Sequence, residues 1–373
     1  MTSISQILTA DPRGWPLPQA VRLDELGPLT APIAVHGGQA QAIHPIENHP
    51  GWLAKLYKQP RQHDDARRLD LLLSAPASLP AETRAALYEG TCWPAARIFA
   101  PGSPTIGCVI PMAPADFRHE LRVGEQRERR FVEIDWLAKP DASVQRRGLA
   151  APGPEGRLRA CTQFTALAAV LEELGLVYSD WSYSNAFWNP RSGAVYLIDV
   201  DGCQSAKMAD IHQPNWADPL TPPGVDADKY TDRYRIALMT ARCLTGQRDA
   251  RALHAASGPW PAQPALGEVL LDMLCAADRD RRPSTGQLHL ALKGGPYVRP
   301  VPRPTRLPLP ELPRPAQPPV QTDTAPGVRV ASRRPANPGK KNGLTREQKR
   351  QVEAAVVSAL LMVLIIIIAL NSH

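Results

Sequence analysis

Asp180 and Asn185, with Trp181-Ser182-Tyr183-Ser184 between them, and Asp199 fourteen residues beyond the amide constrain this chain more than any other feature. Each polar group borders an apolar run. Leu174 to Tyr178 lead into the first acid, Ala186-Phe187-Trp188 leads away from the amide, and Val195-Tyr196-Leu197-Ile198 runs up to the second acid. Short apolar runs with such boundaries read as buried strands. The pattern therefore predicts a loop, a short hairpin, and an acid delivered at the end of its second strand. One acid facing a substrate hydroxyl, with an amide and a second acid holding magnesium against nucleotide phosphates, is the donor set that phosphoryl transfer from ATP needs.

The N-terminal half should then supply a cover for the phosphates and a lysine. Residues 32–43 read as strand, Gly37-Gly38 turn, strand. Trp52-Leu53-Ala54-Lys55-Leu56-Tyr57 reads as a third strand with one lysine inside an apolar run. Burying that ammonium without an anion is costly, so Lys55 is expected to reach the ATP phosphates. The alternative is an edge strand with Lys55 in water, and a glycine pair alone specifies no more than a hairpin.

In these residues the chain resembles the protein-kinase superfamily, and within it an atypical bacterial branch of Ser/Thr-kinase-like proteins. That branch carries a GGEG-type loop, a lysine strand, a Trp-Pro hinge region and an LIDxD magnesium loop. The matching segments here are Gly37-Gly38-Gln39-Ala40, Leu53-Ala54-Lys55-Leu56-Tyr57, Trp93-Pro94 with Gly107-Cys108-Val109-Ile110-Pro111-Met112, and Leu197-Ile198-Asp199-Val200-Asp201-Gly202-Cys203-Gln204. Thr231-Asp232-Arg233-Tyr234-Arg235 resembles the helix whose acid anchors the catalytic loop, and Asp278 to Ser284 resembles the terminal Arg-Pro element. The likeness covers about residues 30–292. It implies a bilobal α+β fold, with a small β-rich N-lobe to about residue 110 and a helical C-lobe after it. It further implies ATP in the cleft under Gly37, Gly38 and Met112, Lys55 on the α/β phosphates, Asp180 as base, and Asn185 and Asp199 on Mg2+.

The departures matter as much as the matches. Ala40 stands where a further glycine is usual. Tyr178-Ser179 replaces His-Arg before Asp180, which removes the cation that docks a phosphorylated loop. Ser182 replaces a lysine that would stabilise the transferring phosphoryl group. Asp201 stands in place of a glycine and is either an acid behind the metal ligands or a solvated turn residue. No acid is evident as the helix partner of Lys55; Asp65 and Asp70 lie in the predicted helix, each expected to face solvent.

Beyond the domain, residues 296–344 are dense in proline and arginine and predict an extended spacer. Thr345-Arg346-Glu347-Gln348 fits a capping box, and 354–370 is an uncharged run of seventeen residues. At ~1.5 Å per residue it spans ~25 Å, close to a ~30 Å hydrocarbon core. With Lys340, Lys341, Arg346, Lys349 and Arg350 before it, the run is expected to be a tail anchor with the large domain in the cytoplasm. The net charge of +7 is concentrated between residues 297 and 350, so residues 1–296 are nearly neutral and give no basic face for nucleic acid. The six cysteines show no CxxC pair and are expected to be reduced and structural.

These features predict an N-terminal extension over 1–29, a kinase-like domain over 30–295, a linker over 296–344 and an anchor over 345–373. The function they imply is a membrane-anchored Ser/Thr-type protein kinase with an unidentified protein substrate. A pseudokinase scaffold that binds nucleotide or partners without catalysis is the alternative. A small-molecule phosphotransferase shares the Asp…Asn…Asp pattern, but the Asp232 helix and the Arg282-Pro283 element speak against it. The segment 118–154, rich in Arg and Glu, is expected to be a mobile insert.

Overall fold

The computed structural model describes residues 14–35, 40–61, 63–209, 215–222, 224–299 and 305–312. Gly37, Gly38 and the predicted anchor over 345–373 lie outside the described residues. Among those described, no helix is long and apolar enough to cross a membrane.

The N-terminal half is a twisted sheet with a helix laid on it. Six strands, β1 (Ala20–Arg22), β2 (Ala34–Val35), β3 (Ala40–Pro45), β4 (Trp52–Arg61), β5 (Ala96–Ala100) and β6 (Ser103–Pro111), stand in the order β1-β5-β6-β4-β3-β2. All neighbours are antiparallel except β1 and β5. Thus β1, drawn from the stretch expected to precede the domain, forms an edge of the sheet. Side chains alternate along β4. Ala54 faces a core of Trp15, Val21, Ile98 and Val109, whereas Leu53 and Tyr57 face the larger core beneath helix α1 (His63–Ser74). Lys55 shares the face of Leu53 and Tyr57. Its strand neighbours are Ile43 on β3 and Cys108 on β6. The close approach of β6 depends on Gly107, where a Cβ would come within 2.3 Å of the Lys55 carbonyl oxygen.

A second short helix, α2 (Ala81–Gly90), leads to Thr91, which bridges to Leu197 across the two halves. After β6 the chain enters the helical half. Residues expected as a mobile insert instead form the hairpin β7 (Arg118–Val123) and β8 (Gln126–Phe131), followed by α3 (Asp141–Arg146). The hairpin holds because Leu121 is buried and Phe131 stacks on Phe187, anchoring an otherwise charged ribbon. The long α4 (Gly153–Glu173) and α5 (Lys229–Thr245) form the centre of this half, with α6 (Ala250–Ala256), α7 (Leu266–Cys275) and α8 (Thr285–Leu292) around them. Strand β9 (Leu176–Val177) follows α4, and β10 (Ala186–Trp188) pairs with β11 (Val195–Leu197). The described residues thus form an α+β arrangement, with a β-rich N-terminal half and a helical C-terminal half. All six cysteines are buried and unbridged. The start of the proline-rich stretch lies against α7: Arg306 pairs with Asp272, and the Leu307 amide donates to the Cys275 carbonyl.

The helical half is clamped by an ion pair that is wholly buried. Arg282 donates to both oxygens of Asp218 at 2.6 and 2.7 Å, and neither side chain has measurable exposure. Burial pushes the Asp218 carboxyl up, but the hydrogen bonds and charge of Arg282 more than offset it and hold the group below the usual carboxylate range. Removing one partner leaves an unpaired buried charge, so Arg282→Ala should lower unfolding free energy by about 3–5 kcal/mol in urea titrations. Because the folded pKa is depressed, the pair's stabilisation is complete above the unfolded carboxylate value of ~3.9 and is lost as the pH falls below it. The acid limb of a stability-against-pH curve should therefore be shallower in Asp218→Asn than in the parent chain.

Candidate nucleotide and phosphoryl-transfer site

The loop between β9 and β10 carries Asp180 and Asn185, and the turn after β11 carries Asp199. Pairing of Ala186 with Leu197 fixes the two segments side by side, and the Ile198 amide donates to the Asn185 carbonyl at 3.0 Å. The Asn185 side-chain amide donates to the Asp180 carbonyl at 2.8 Å. That bond orients the amide, leaving its oxygen as an acceptor for a cation. Tyr178 closes the back of the loop by donating to the Ile198 carbonyl at 2.6 Å. Its ring meets Trp181 edge-on, and Trp181 meets Phe164 of α4 in the same way.

Ser179 has φ 59°, a left-handed conformation unfavourable for a side-chain-bearing residue. Asp232 on α5 holds it there. Its two oxygens accept the amides of Tyr178 at 2.8 Å and Ser179 at 3.0 Å. Arg235, one turn along the helix, donates to the Ser179 carbonyl and, at 3.2 Å, to that of Trp216. Burial pushes the Asp232 carboxyl up to about 7, and the two amides, Trp181 and Arg235 pull against it. The anchoring role inferred for the Asp232 helix thus has a described geometry. Arg235 and Asp218 were not foreseen. A spacing of three residues from Asp232 places Arg235 on the same helix face, which is the signal that could have found it.

Lys55 arrives from the opposite half. Its ammonium donates to Asp199 Oδ1 at 2.9 Å and to Asp201 Oδ1 at 2.6 Å. Burial favours the neutral amine, but the carboxylates of Asp201 and Asp199 outweigh it, so the group stays charged with a pKa above the ordinary lysine value. The edge-strand alternative, with Lys55 in water, is overturned: the residue is 5% exposed. The two acids differ. The Asp199 side chain is 44% exposed, whereas that of Asp201 is 1% exposed and also accepts from the Tyr57 hydroxyl at 3.0 Å. The solvated-turn reading of Asp201 is therefore wrong. Asp199 also has a left-handed backbone, φ 59°, at the start of a single 3-10 turn over Val200–Gly202.

Met112 follows β6 at the crossing between the halves. Its side chain is exposed and its amide donates to the Gly51 carbonyl at 2.8 Å. Asp70, one of the two acids considered as a helix partner for Lys55, pairs instead with Arg97 at 2.8 Å. Among the described residues, no group of three or more His, Cys, Asp or Glu side chains is placed to hold a metal unaided. A hard-oxygen pair such as Asn185 and Asp199, one side open to solvent, suits an ion that takes its other ligands from phosphates and water. A groove of about 830 Å³ lies elsewhere, between Asp116, the β7–β8 hairpin and Arg191, and contains none of these groups.

No family model matches the chain, and no curated protein matches it. Among solved structures it is similar to the ROP18 kinase domain in complex with AMP-PNP and sucrose, at 18% identity over 71% of this chain and 78% of that one, TM-score 0.46. It is also similar to ROP2 from Toxoplasma gondii, described as a virulence factor with a protein-kinase fold and no enzymatic activity, at 13% identity over 67% and 71%, TM-score 0.41. The BubR1 kinase domain matches at 11% identity over 70% and 77%, TM-score 0.46.

Replacing Asp232 by alanine removes the acceptor of two buried amides. The cost should be about 2–4 kcal/mol, the sum of two unsatisfied donors. Hydrogen exchange should rise first at the Tyr178 and Ser179 amides; unchanged protection there would show that the loop is held by other groups.

Proposed function

We propose that this chain is a protein-kinase-superfamily phosphotransferase that uses ATP and magnesium, with a protein hydroxyl as acceptor. The observation that carries the reading is the meeting of Lys55, from the sheet, with Asp199, from the loop that Asn185 abuts. Groups 144 residues apart in sequence are joined by a 2.9 Å hydrogen bond. An ammonium and a half-exposed carboxylate converging beside a cation-ready amide form a receptor for polyphosphate and its counter-ion.

In this reading Lys55 orients the α and β phosphates, with Gly37 and Gly38 as their cover and Met112 beside the purine. Asn185 and Asp199 would hold magnesium, which neutralises phosphate charge. Asp180 accepts the proton of the attacking hydroxyl. Asp232 and Arg235 keep Asp180 aimed by fixing the backbone one residue before it. Residues 354–370 form a tail anchor in this proposal, and the basic residues before them keep the domain on the cytoplasmic side. Tethering concentrates the enzyme on membrane-bound partners.

A nucleotide-binding scaffold without catalysis is the competing reading, and one observation favours it. At position 182 a lysine would face the transferring phosphoryl group, whereas Ser182 is buried and shares a 3.0 Å hydrogen bond with Ser184. The test is phosphoryl transfer from labelled ATP by the full-length chain with magnesium or manganese. Lys55→Met, Asp199→Asn and Asp180→Ala should each lower the rate by about 10²–10⁴-fold. Equal background labelling in all four proteins, with a nucleotide-dependent thermal shift retained, would establish the scaffold instead.

A further inference from the structure

Lys55 needs an anion that stays when the nucleotide arrives. Asp199 cannot be that anion if it turns to a cation, and its carboxylate is 44% exposed, open to a solvent-borne ion. Helix α1 offers no substitute along its described inner face. Ala66, Leu69, Leu72 and Leu73 fill that face and are buried, while Asp70 points away to Arg97. Asp201 has the opposite character to Asp199. It is buried, its Oδ1 takes the ammonium at 2.6 Å, and its Oδ2 takes the Tyr57 hydroxyl at 3.0 Å. Tyr57 and Lys55 are two residues apart on one strand, so both point to the same face and grip the two oxygens of one carboxylate. The carboxylate is held at both ends and cannot rotate without breaking one bond.

We propose that Asp201, braced by Tyr57, is the positioning residue that fixes the Lys55 ammonium for nucleotide, a role that none of the described side chains of α1 fills. This rests on the phosphotransferase reading above and adds to it. An ammonium has three N–H donors. One stays on Asp201, one is released when Asp199 turns to the metal, and the third is available throughout, so two can meet phosphate oxygens. Because Asp199 and Asp201 belong to one loop, the lysine and the metal acid are set together. The lysine's placement is then independent of where α1 lies, which removes a common way of switching such a site through helix displacement.

The test is magnesium-ATP titration, by calorimetry, of the full-length chain and its Asp201→Asn, Lys55→Met, Tyr57→Phe and double Asp201→Asn/Lys55→Met variants. Asp201→Asn should weaken binding at least tenfold and Tyr57→Phe two- to fivefold. In the Lys55→Met background Asp201→Asn should add less than twofold, since a residue that acts through Lys55 has nothing left to position. Binding by Asp201→Asn within twofold of the parent, or an undiminished effect in the double variant, overturns the proposal while leaving the phosphotransferase reading intact. A parent chain that binds no nucleotide sinks both. If Asp201→Asn does not fold, Tyr57→Phe decides: unchanged affinity there overturns the proposal.

Discussion

An ammonium buried on the face of a β-sheet cannot remain charged without anions, and the anions here come from the other half of the chain. That electrostatic requirement adds a directional tie between halves that already share the Thr91–Leu197 bridge and a common apolar core. Lys55 lies on the inner face of β4, and the carboxylates it needs lie on the turn that follows β11. Apolar packing is non-directional and by itself specifies no single register. The three-point arrangement of Lys55, Tyr57 and Asp201 allows one. Breaking it would strand two buried charges, so the arrangement selects a relative placement even where its net stabilisation is small.

The same logic recurs in the helical half. Asp232 accepts two amides of the loop before Asp180, Arg235 holds a carbonyl of that loop, and the Asp218–Arg282 pair fastens the following segment to the turn before α8. Each is a buried charge whose partners lie on a different segment. A loop bearing a side chain at φ 59° is unfavourable by itself, and these charges supply the directional constraint that keeps it so. Hydrophobic packing sets the helices; the buried charges set the loop on top of them.

Much of this was legible in the sequence. The hairpin before Asp199 followed from two short apolar runs, and Lys55 stood out as the one charge within an apolar strand. The acid of Thr231-Asp232-Arg233 was recognisable as an anchor. What was not legible has physical reasons. Asp201 follows Asp199 by two residues in a turn, where periodicity carries no information about burial, so its sequestered side chain could not be told from a solvated one. Tyr57 reads as ordinary core until its hydroxyl is placed. The 118–154 segment looks like a solvated loop by composition, because a hairpin with most side chains exposed has few apolar residues. Its buried Leu121 and the Phe131–Phe187 stack become meaningful only when paired across the fold.

The contrast between Asp199 and Asp201 is where the chemistry and the architecture separate. Two carboxylates on one turn bind one ammonium, yet one is nearly half exposed and the other is closed off. A carboxylate that must exchange an ammonium for a metal ion has to be reachable by water, or its desolvation would be repeated at each binding event. A carboxylate that holds position gains from the reverse, since low local polarity strengthens its hold and a second donor removes its freedom. The left-handed turn at Asp199 makes both possible over three residues, turning the first acid outward and the second inward. Ordinary extended backbone would instead place residues 199 and 201 on one face, because its period is two. The strained φ is thus what lets two acids two residues apart take different surroundings while sharing a single cation.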